Sequence, residues 1–251
     1  MPQGSGLSSS AALEVACAVA LCDVSGFEPA ATELAAACRE AEFLATGVPS
    51  GIMDQLVSLA GTAGAALLID CRSLEVRPVP LPPGIQVLAV HCGLPRALMD
   101  SAYAERQAAC EAAARSLGLR SLRDAALGEM ADDPFARHVV SENARVLVTV
   151  SALLDGELAR LGALYAASHA SLRDDFRVST PELDALVHAL VESGALGARL
   201  TGAGFGGCAV GLVRSDETEE IAKRATRRYR EETGIKPTAF VCSAVAGAGP
   251  A

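Results

Sequence analysis

Tryptophan is absent from this chain, and aromatic residues make up only 4% of it. Single-stranded nucleic acid is bound by stacking bases on aromatic rings along a basic groove. A basic surplus is lacking as well: 30 acidic residues stand against 21 lysines and arginines, for a formal net charge of −9. The bases that do cluster, Lys223, Arg224, Arg227, Arg228 and Arg230, alternate with Glu219, Glu220, Glu231 and Glu232, the pattern of a solvated helix face. No nucleic-acid partner is expected. Metal-finger spacing is missing too. Eight cysteines are spread along the chain, but none pair as Cys-x-x-Cys and no histidine is suitably spaced, which argues against structural zinc. Most of them sit in apolar stretches such as 15–21 and 207–213, as expected for buried free thiols in a reducing compartment. Long hydrophobic runs are also wanting. Ala11–Cys22 is strongly apolar, yet Glu14 interrupts it and no Lys or Arg precedes it; it is too short to cross a bilayer and lacks the flank of a signal peptide. The expectation is a soluble, cytoplasmic monomer with no membrane partner.

What is present is enough apolar residue for a sizeable core: 51% of 251 residues are hydrophobic, which suits one large domain or two smaller ones. A Gly/Ser loop from Pro2 to Ser10 leads into a helix over 11–22 that Ser8 or Ser9 can cap. A second helix is predicted over 30–44. Short strands are predicted over 64–70 and 74–81 from their apolar content and alternation. Pro78, Pro80, Pro82, Pro83 and Gly84 then punctuate the chain and mark a boundary between two lobes, 1–83 and 84–251. Beyond it, strands are expected over 85–91, 198–200, 208–213 and 238–245. Helices are expected over 103–117, 138–154, 157–168, 180–193 and 217–233. The class is α+β.

Three segments carry possible chemistry. Gly4-Ser5-Gly6-Leu7-Ser8-Ser9-Ser10 puts small residues and three hydroxyls at the positive end of a helix, where backbone N–H groups and the helix dipole favour a polyphosphate. It lacks the Walker lysine, and a plain Gly/Ser helix entry would look the same. Ser50-Gly51-Ile52-Met53-Asp54-Gln55 sets a carboxylate after two apolar residues, in a turn, where partial desolvation would let Asp54 accept or orient a proton; a helix-capping Asp is the alternative. Glu42, twelve residues upstream on a helix, could reach a metal or simply be solvated. Thr201-Gly202-Ala203-Gly204-Phe205-Gly206-Gly207-Cys208 is a second glycine loop, with four glycines in six residues, more than a tight turn needs.

Together these strings resemble the GHMP small-molecule kinases, and within them the galactokinases. The likeness rests on Leu-Ser-Ser-Ser-Ala-Ala-Leu-Glu-Val-Ala at 7–16, Ser-Gly-Ile-Met-Asp-Gln at 50–55 and Leu-Ile-Asp-Cys-Arg-Ser-Leu-Glu at 68–75. Arg-His-Val-Val-Ser-Glu-Asn at 137–143, Ser-His-Ala-Ser-Leu-Arg-Asp-Asp-Phe at 168–176 and the loop 201–208 add to it. The resemblance implies a two-lobed GHMP kinase fold: an N-terminal lobe like domain 2 of ribosomal protein S5, here incomplete, and a ferredoxin-like C-terminal lobe. It implies ATP-dependent phosphorylation of D-galactose to α-D-galactose 1-phosphate, with MgATP and the sugar as partners. Gly4, Ser5, Gly6, Leu7, Ser8, Ser9 and Ser10 would cradle the ATP phosphates, and Ser10 with Glu42 would hold Mg²⁺. Asp54 matches the catalytic carboxylate, Gly51 a position whose backbone lies against the sugar, and Tyr103 a tyrosine whose hydroxyl contacts it. The second glycine loop would pack beside the phosphate loop. His169, Asp174 and Asp175 could form a second metal site, although caps or structural hydrogen bonds explain them better.

One departure stands beside the match. Galactokinases carry a segment with Arg-x-Asn-x-Ile-Gly-Glu-His-x-Asp, and no stretch of this sequence resembles it; nor does a strand precede the first glycine loop. The expectation is a chain that starts late. Two other readings stay open at this point: a nucleotide- or sugar-binding protein without transfer activity, and a kinase for another sugar such as N-acetylgalactosamine.

Overall fold

The computed structural model describes residues 6–48, 50–94, 99–126, 128 and 132–249, with only the backbone of Met99, Asp100 and Ser101. Its contacts divide the chain into two units, one built on Leu7–Leu81 with the segment from Ser243 onward, the other on Pro82–Cys242.

In the first unit, helices α1 (Ser9–Ser25), α2 (Ala31–Thr46) and α3 (Met53–Ala60) precede a two-stranded antiparallel sheet, β1 (Ala65–Ile69) and β2 (Val76–Pro80), paired from Ala65–Pro80 to Ile69–Val76. Helices α1 and α2 end on glycines, Gly26 and Gly47, both in the left-handed conformation that lets a C-cap N–H reach back to the last carbonyls. Ala35, Ile52 and Leu56 form a small core with Leu59, Ile69, Leu74 and Val76 against it. Helix α1 is apolar around most of its circumference, as its sequence predicts, but buries only Ala11 and Val15 fully, while Leu13, Leu21 and Val24 are exposed. A groove of about 490 Å³ opens between α1, α3, β1 and residues 243–248.

Three expectations are corrected here. Ser8 does occupy the N-cap position of α1, but in a left-handed conformation (φ 59°) and with no side-chain cap bond, whereas a capping side chain is ordinarily carried on an extended N-cap backbone. Residues 53–60, not foreseen as a helix, form α3, so Asp54 lies in a helical first turn. The sequence alone runs the second lobe to the C-terminus. In the structure the strand predicted over 238–245 stops at Cys242 and the chain beyond it belongs with the first unit. Gly64 N–H donates to Ala244 O, Gly247 N–H to Gly61 O and Ala248 N–H to Ser58 O, at 3.1, 2.8 and 2.7 Å.

The second unit is built on a four-stranded antiparallel sheet of β3 (Ile85–His91), β4 (Gly197–Leu200), β5 (Cys208–Arg214) and β6 (Thr238–Cys242), in the order β4-β5-β3-β6. Around it lie α4 (Met99–Ser116), a 3₁₀ turn (Leu122–Asp124), α5 (Pro134–Leu154), α6 (Leu158–Asp174), α7 (Pro181–Glu192) and α8 (Thr218–Thr233). Ala89 in the middle of β3 stands opposite Val210 and Phe240. Leu88, Ala89 and Val90 are all buried, so β3 is apolar on both faces rather than alternating. Leu183, Leu186 and Leu190 of α7 and Ile221, Ala225 and Tyr229 of α8 complete the core. The latter three, at helical spacing, leave the predicted charged face of α8 in solvent. Burial pushes the Tyr229 phenol up to about 12, and its hydroxyl donates to Cys92 O at 2.8 Å. Helix α6 meets β4 backbone to backbone: a Cβ on Gly162 would lie 2.1 Å from Leu196 O, and one on Gly197 2.8 Å from the Cα of Gly162.

The candidate active site

Helix α1 carries Ser10 and Glu14 one turn apart, so both point to one face. Ser10 Oγ donates to Glu42 Oε1 at 2.8 Å. The other carboxylate oxygen, Oε2, accepts from Ser50 Oγ at 2.8 Å and from Gln55 Nε2 at 3.0 Å. Gln55 Nε2 also reaches Glu14 Oε2 at 3.4 Å. The Gln55 amide thus separates two carboxylates that would repel, and its own Oε1 is buried with no hydrogen-bond donor. The orientation follows from the neighbours, since the flipped amide would set its oxygen against both carboxylates. Burial pushes the Glu14 carboxyl above its ordinary value; the bond from Gln55 pulls it back and the charge of Glu42 pushes it up again.

Asp54 adjoins Gln55 at the start of α3, half-buried in the first turn, where the helix dipole favours a carboxylate. It makes no hydrogen bond or ion pair among the described residues, so both its oxygens can accept. Gly51, two residues before α3, is exposed, and a Cβ there would meet nothing within 4 Å. Among the described residues, neither packing nor a positive φ demands glycine at 51.

Of the first glycine loop, Gly4 and Ser5 lie outside the described residues. Gly6 and Ser8 are both left-handed, at φ 77° and 59°, Leu7 lies between them, and Ser9 and Ser10 open α1. Left-handed residues are part of the backbone turns whose successive N–H groups receive anions. The structure brings together Ser10 and Glu42, both named from the sequence, and joins to them Ser50, Gln55 and Glu14, which the sequence does not single out. Their sequence signals are adjacency to Gly51 and Asp54 and the i,i+4 spacing from Ser10.

Tyr103 and the second glycine loop lie in the second unit. Tyr103 is half-buried on α4. In the loop, Gly202, Gly204, Gly206 and Gly207 all have positive φ, as does Phe205. Gly204 is required twice over, by φ 82° and because a Cβ would stand 2.2 Å from Val178 O. His169, Asp174 and Asp175 do not converge on a metal. The Leu200 N–H donates to His169 Nδ1, so Nε2 carries the proton and donates to Asp184 Oδ1 at 3.1 Å. Asp174 pairs with Arg173 and Asp175 with Arg137. Among the described residues no group of three or more His, Cys, Asp or Glu side chains could hold a metal. Nearby, Glu142 is tied to Arg145, to Arg199 at 2.7 Å and to Ser168 at 2.5 Å. Burial would raise its carboxyl, but Arg199, the Ser168 bond and Arg145 outweigh it and hold it below the ordinary value.

Residues 1–62 match the GHMP kinases N terminal domain, and 149–231 match GHMP kinases C terminal. A galactokinase of Roseiflexus sp. (strain RS-1) is 44% identical, covering 99% of this chain and 68% of its own. One of Chloroflexus aurantiacus is 45% identical over 98% of this chain and 67% of its own. The chain belongs to the galactokinases of the GHMP kinase family. The crystal structure of Lactococcus lactis galactokinase complexed with galactose superposes with a TM-score of 0.92 at 35% identity, covering 98% of this chain and 68% of that one. The α+β GHMP kinase fold expected from the sequence is thereby established. A mevalonate kinase of L. major, 24% identical with a TM-score of 0.65 over 96% of this chain and 66% of that one, shares the fold alone.

Proposed function

We propose that this galactokinase-family protein transfers the γ-phosphoryl group of ATP to the anomeric hydroxyl of D-galactose, giving α-D-galactose 1-phosphate. The observation that carries the reading is the convergence of Ser10, Glu42, Ser50 and Gln55 beside Asp54. Phosphoryl transfer asks the protein for alignment and charge stabilisation more than for covalent chemistry. The left-handed residues of the first glycine loop and the start of α1 would receive the phosphates.

Ser10 Oγ and the Glu42 carboxylate are hard oxygen donors already within 2.8 Å of each other, which suits Mg²⁺ with water and phosphate completing its shell. Bound there, the ion would neutralise charge on the β- and γ-phosphates. Gln55 and Ser50 hold the carboxylate of Glu42 so that it need not reorganise. Asp54 would accept the proton of the sugar hydroxyl, or hold that hydroxyl in line, with both oxygens free to do so. The open space at Gly51 fits a sugar lying against the backbone, and Tyr103 would contact it by its hydroxyl. The free state of all eight cysteines fits a cytoplasmic protein.

The test is ADP release from MgATP by the folded chain with and without D-galactose, and with N-acetylgalactosamine as a second sugar. A galactose-dependent rate is expected. It should fall by about 10²–10⁴-fold in Asp54→Asn while nucleotide binding persists. Nucleotide binding with no sugar-dependent turnover in the wild-type chain would overturn the proposal.

A further inference from the structure

Arg106 stands one turn beyond Tyr103 on α4, and its guanidinium makes no ion pair with a carboxylate among the described residues. It is spent on backbone instead. Nε donates to Phe176 O at 2.9 Å and Nη2 to Arg177 O at 3.2 Å. The guanidinium carbon lies 5.4 Å from the ring centroid of Phe135 and 5.7 Å from that of Phe205, within the range of cation–π attraction. The segment it grips, 176–178, is the one the second glycine loop is built on. Phe205 N–H donates to Val178 O at 2.8 Å, and that same carbonyl leaves no room for a side chain at Gly204.

Four described non-glycine residues have positive φ: Ser8, Leu74, Arg177 and Phe205. Two of them, Arg177 and Phe205, are among the residues Arg106 touches, one through its carbonyl and one through its ring. A left-handed backbone at a residue with a side chain persists only where its surroundings over-determine it, and such outliers gather at functional sites. A planar guanidinium donates to two adjacent carbonyls in a fixed fork while its flat face lies near two rings; an ammonium has the donors but neither the fork nor the face.

We infer that Arg106 is a positioning residue for phosphoryl transfer, fixing the second glycine loop through the Phe176 and Arg177 carbonyls and the Phe205 ring. It also ties that loop to the helix that carries Tyr103, so one side chain sets the register of a nucleotide-side and a sugar-side element. The inference rests on the kinase reading above for its functional half and on this geometry for its structural half.

Hydrogen exchange on the full chain tests the geometry without activity. In Arg106→Lys and Arg106→Gln, amides of 176–178 and 203–207 should exchange about tenfold faster or more, with β3 and β5 protected as in the wild type. Unchanged loop exchange in both variants overturns the inference. Equal acceleration throughout β3 and β5 overturns it as well, since that reports general loss of stability. The kinetic arm asks for a lower kcat and a higher KM for ATP in Arg106→Lys at an unshifted melting temperature, by about tenfold for a small misplacement. A normal kcat and KM beside a loosened loop would overturn the role in transfer. A wild-type chain with no galactose-dependent turnover would instead overturn the kinase reading, while the exchange result still decides whether Arg106 holds the loop.

Discussion

Ser10 Oγ and Glu42 Oε1 lie 2.8 Å apart although 32 positions separate the residues. One comes from the first turn of α1 and the other from the last turns of α2, so the pairing depends on how those two helices pack. Ser50 and Gln55 hold the carboxylate further, and in the proposed reading the pair would receive Mg²⁺. Ser10→Ala and Glu42→Gln should each raise the Mg²⁺ concentration needed for half-maximal MgATP binding, by about tenfold or more. Calorimetric titration of nucleotide at several Mg²⁺ concentrations reads this directly, and an unchanged metal dependence would remove both residues as ligands.

Gln55 shows where sequence reasoning reached and where it stopped. Asp54 stood out because a carboxylate follows two apolar residues, and Ser10 because hydroxyls follow glycines. Nothing local marks Gln55, since its role depends on Glu14 and Glu42 arriving from two other helices. Helix α3 is not legible for a similar reason: its eight residues, with Leu56 inside and Ile52 just before it packed with Ala35 of α2, are too few to show a helical period. Elements of the second unit were legible because long periodic helices and continuous apolar strands announce themselves. Its polar network was not, because Glu142, Ser168 and Arg199 belong to three separate elements, α5, α6 and β4.

The shared amide also predicts a pH signature. The Glu14 carboxyl is raised in the folded state by burial, opposed by the Gln55 bond and reinforced by Glu42. A carboxyl raised on folding binds more protons in the native state, so stability falls as pH rises through its folded value. Gln55→Leu removes the opposing bond and should sharpen that fall. Melting temperatures of the variant should drop more at pH 7 than at pH 4 relative to the wild type. An equal drop at both would reduce Gln55 to a packing residue.

His138 acts in the opposite sense. Burial pushes its imidazole down to about 4, with Glu142 pulling it up and Arg199 and Arg145 pushing it down. Ser171 gives its hydroxyl proton to Asp175, so His138 Nδ1 donates to Ser171 Oγ at 2.9 Å, while the ring stacks on Phe176 with centroids 4.5 Å apart. The unfolded chain takes up the proton first as pH falls through 6.5. Stability present above that value is therefore lost between pH 6.5 and about 4, by an amount on the order of 3 kcal/mol. His138→Asn keeps a donor toward Ser171 but does not titrate. Urea midpoints of the variant should be lower at pH 7 and nearly flat down to pH 5, and a slope equal to the wild type's would reassign the effect to other groups.

Gly204 is required by the fold, whereas Gly51 is not, and the proposed function gives Gly51 a different reason to be glycine. At 204, left-handed φ and a Val178 carbonyl 2.2 Å from the missing Cβ mean that alanine must displace the 176–178 segment, and Gly204→Ala should cost on the order of 1–3 kcal/mol. At 51 no described residue approaches the vacant position within 4 Å, so Gly51→Ala should leave the melting temperature unchanged. If a sugar lies against that backbone, the added methyl meets the sugar instead, and KM for galactose should rise with KM for ATP untouched. A variant with normal galactose kinetics would mean that the sugar does not approach Gly51, and the acceptor site would have to be sought elsewhere around Asp54.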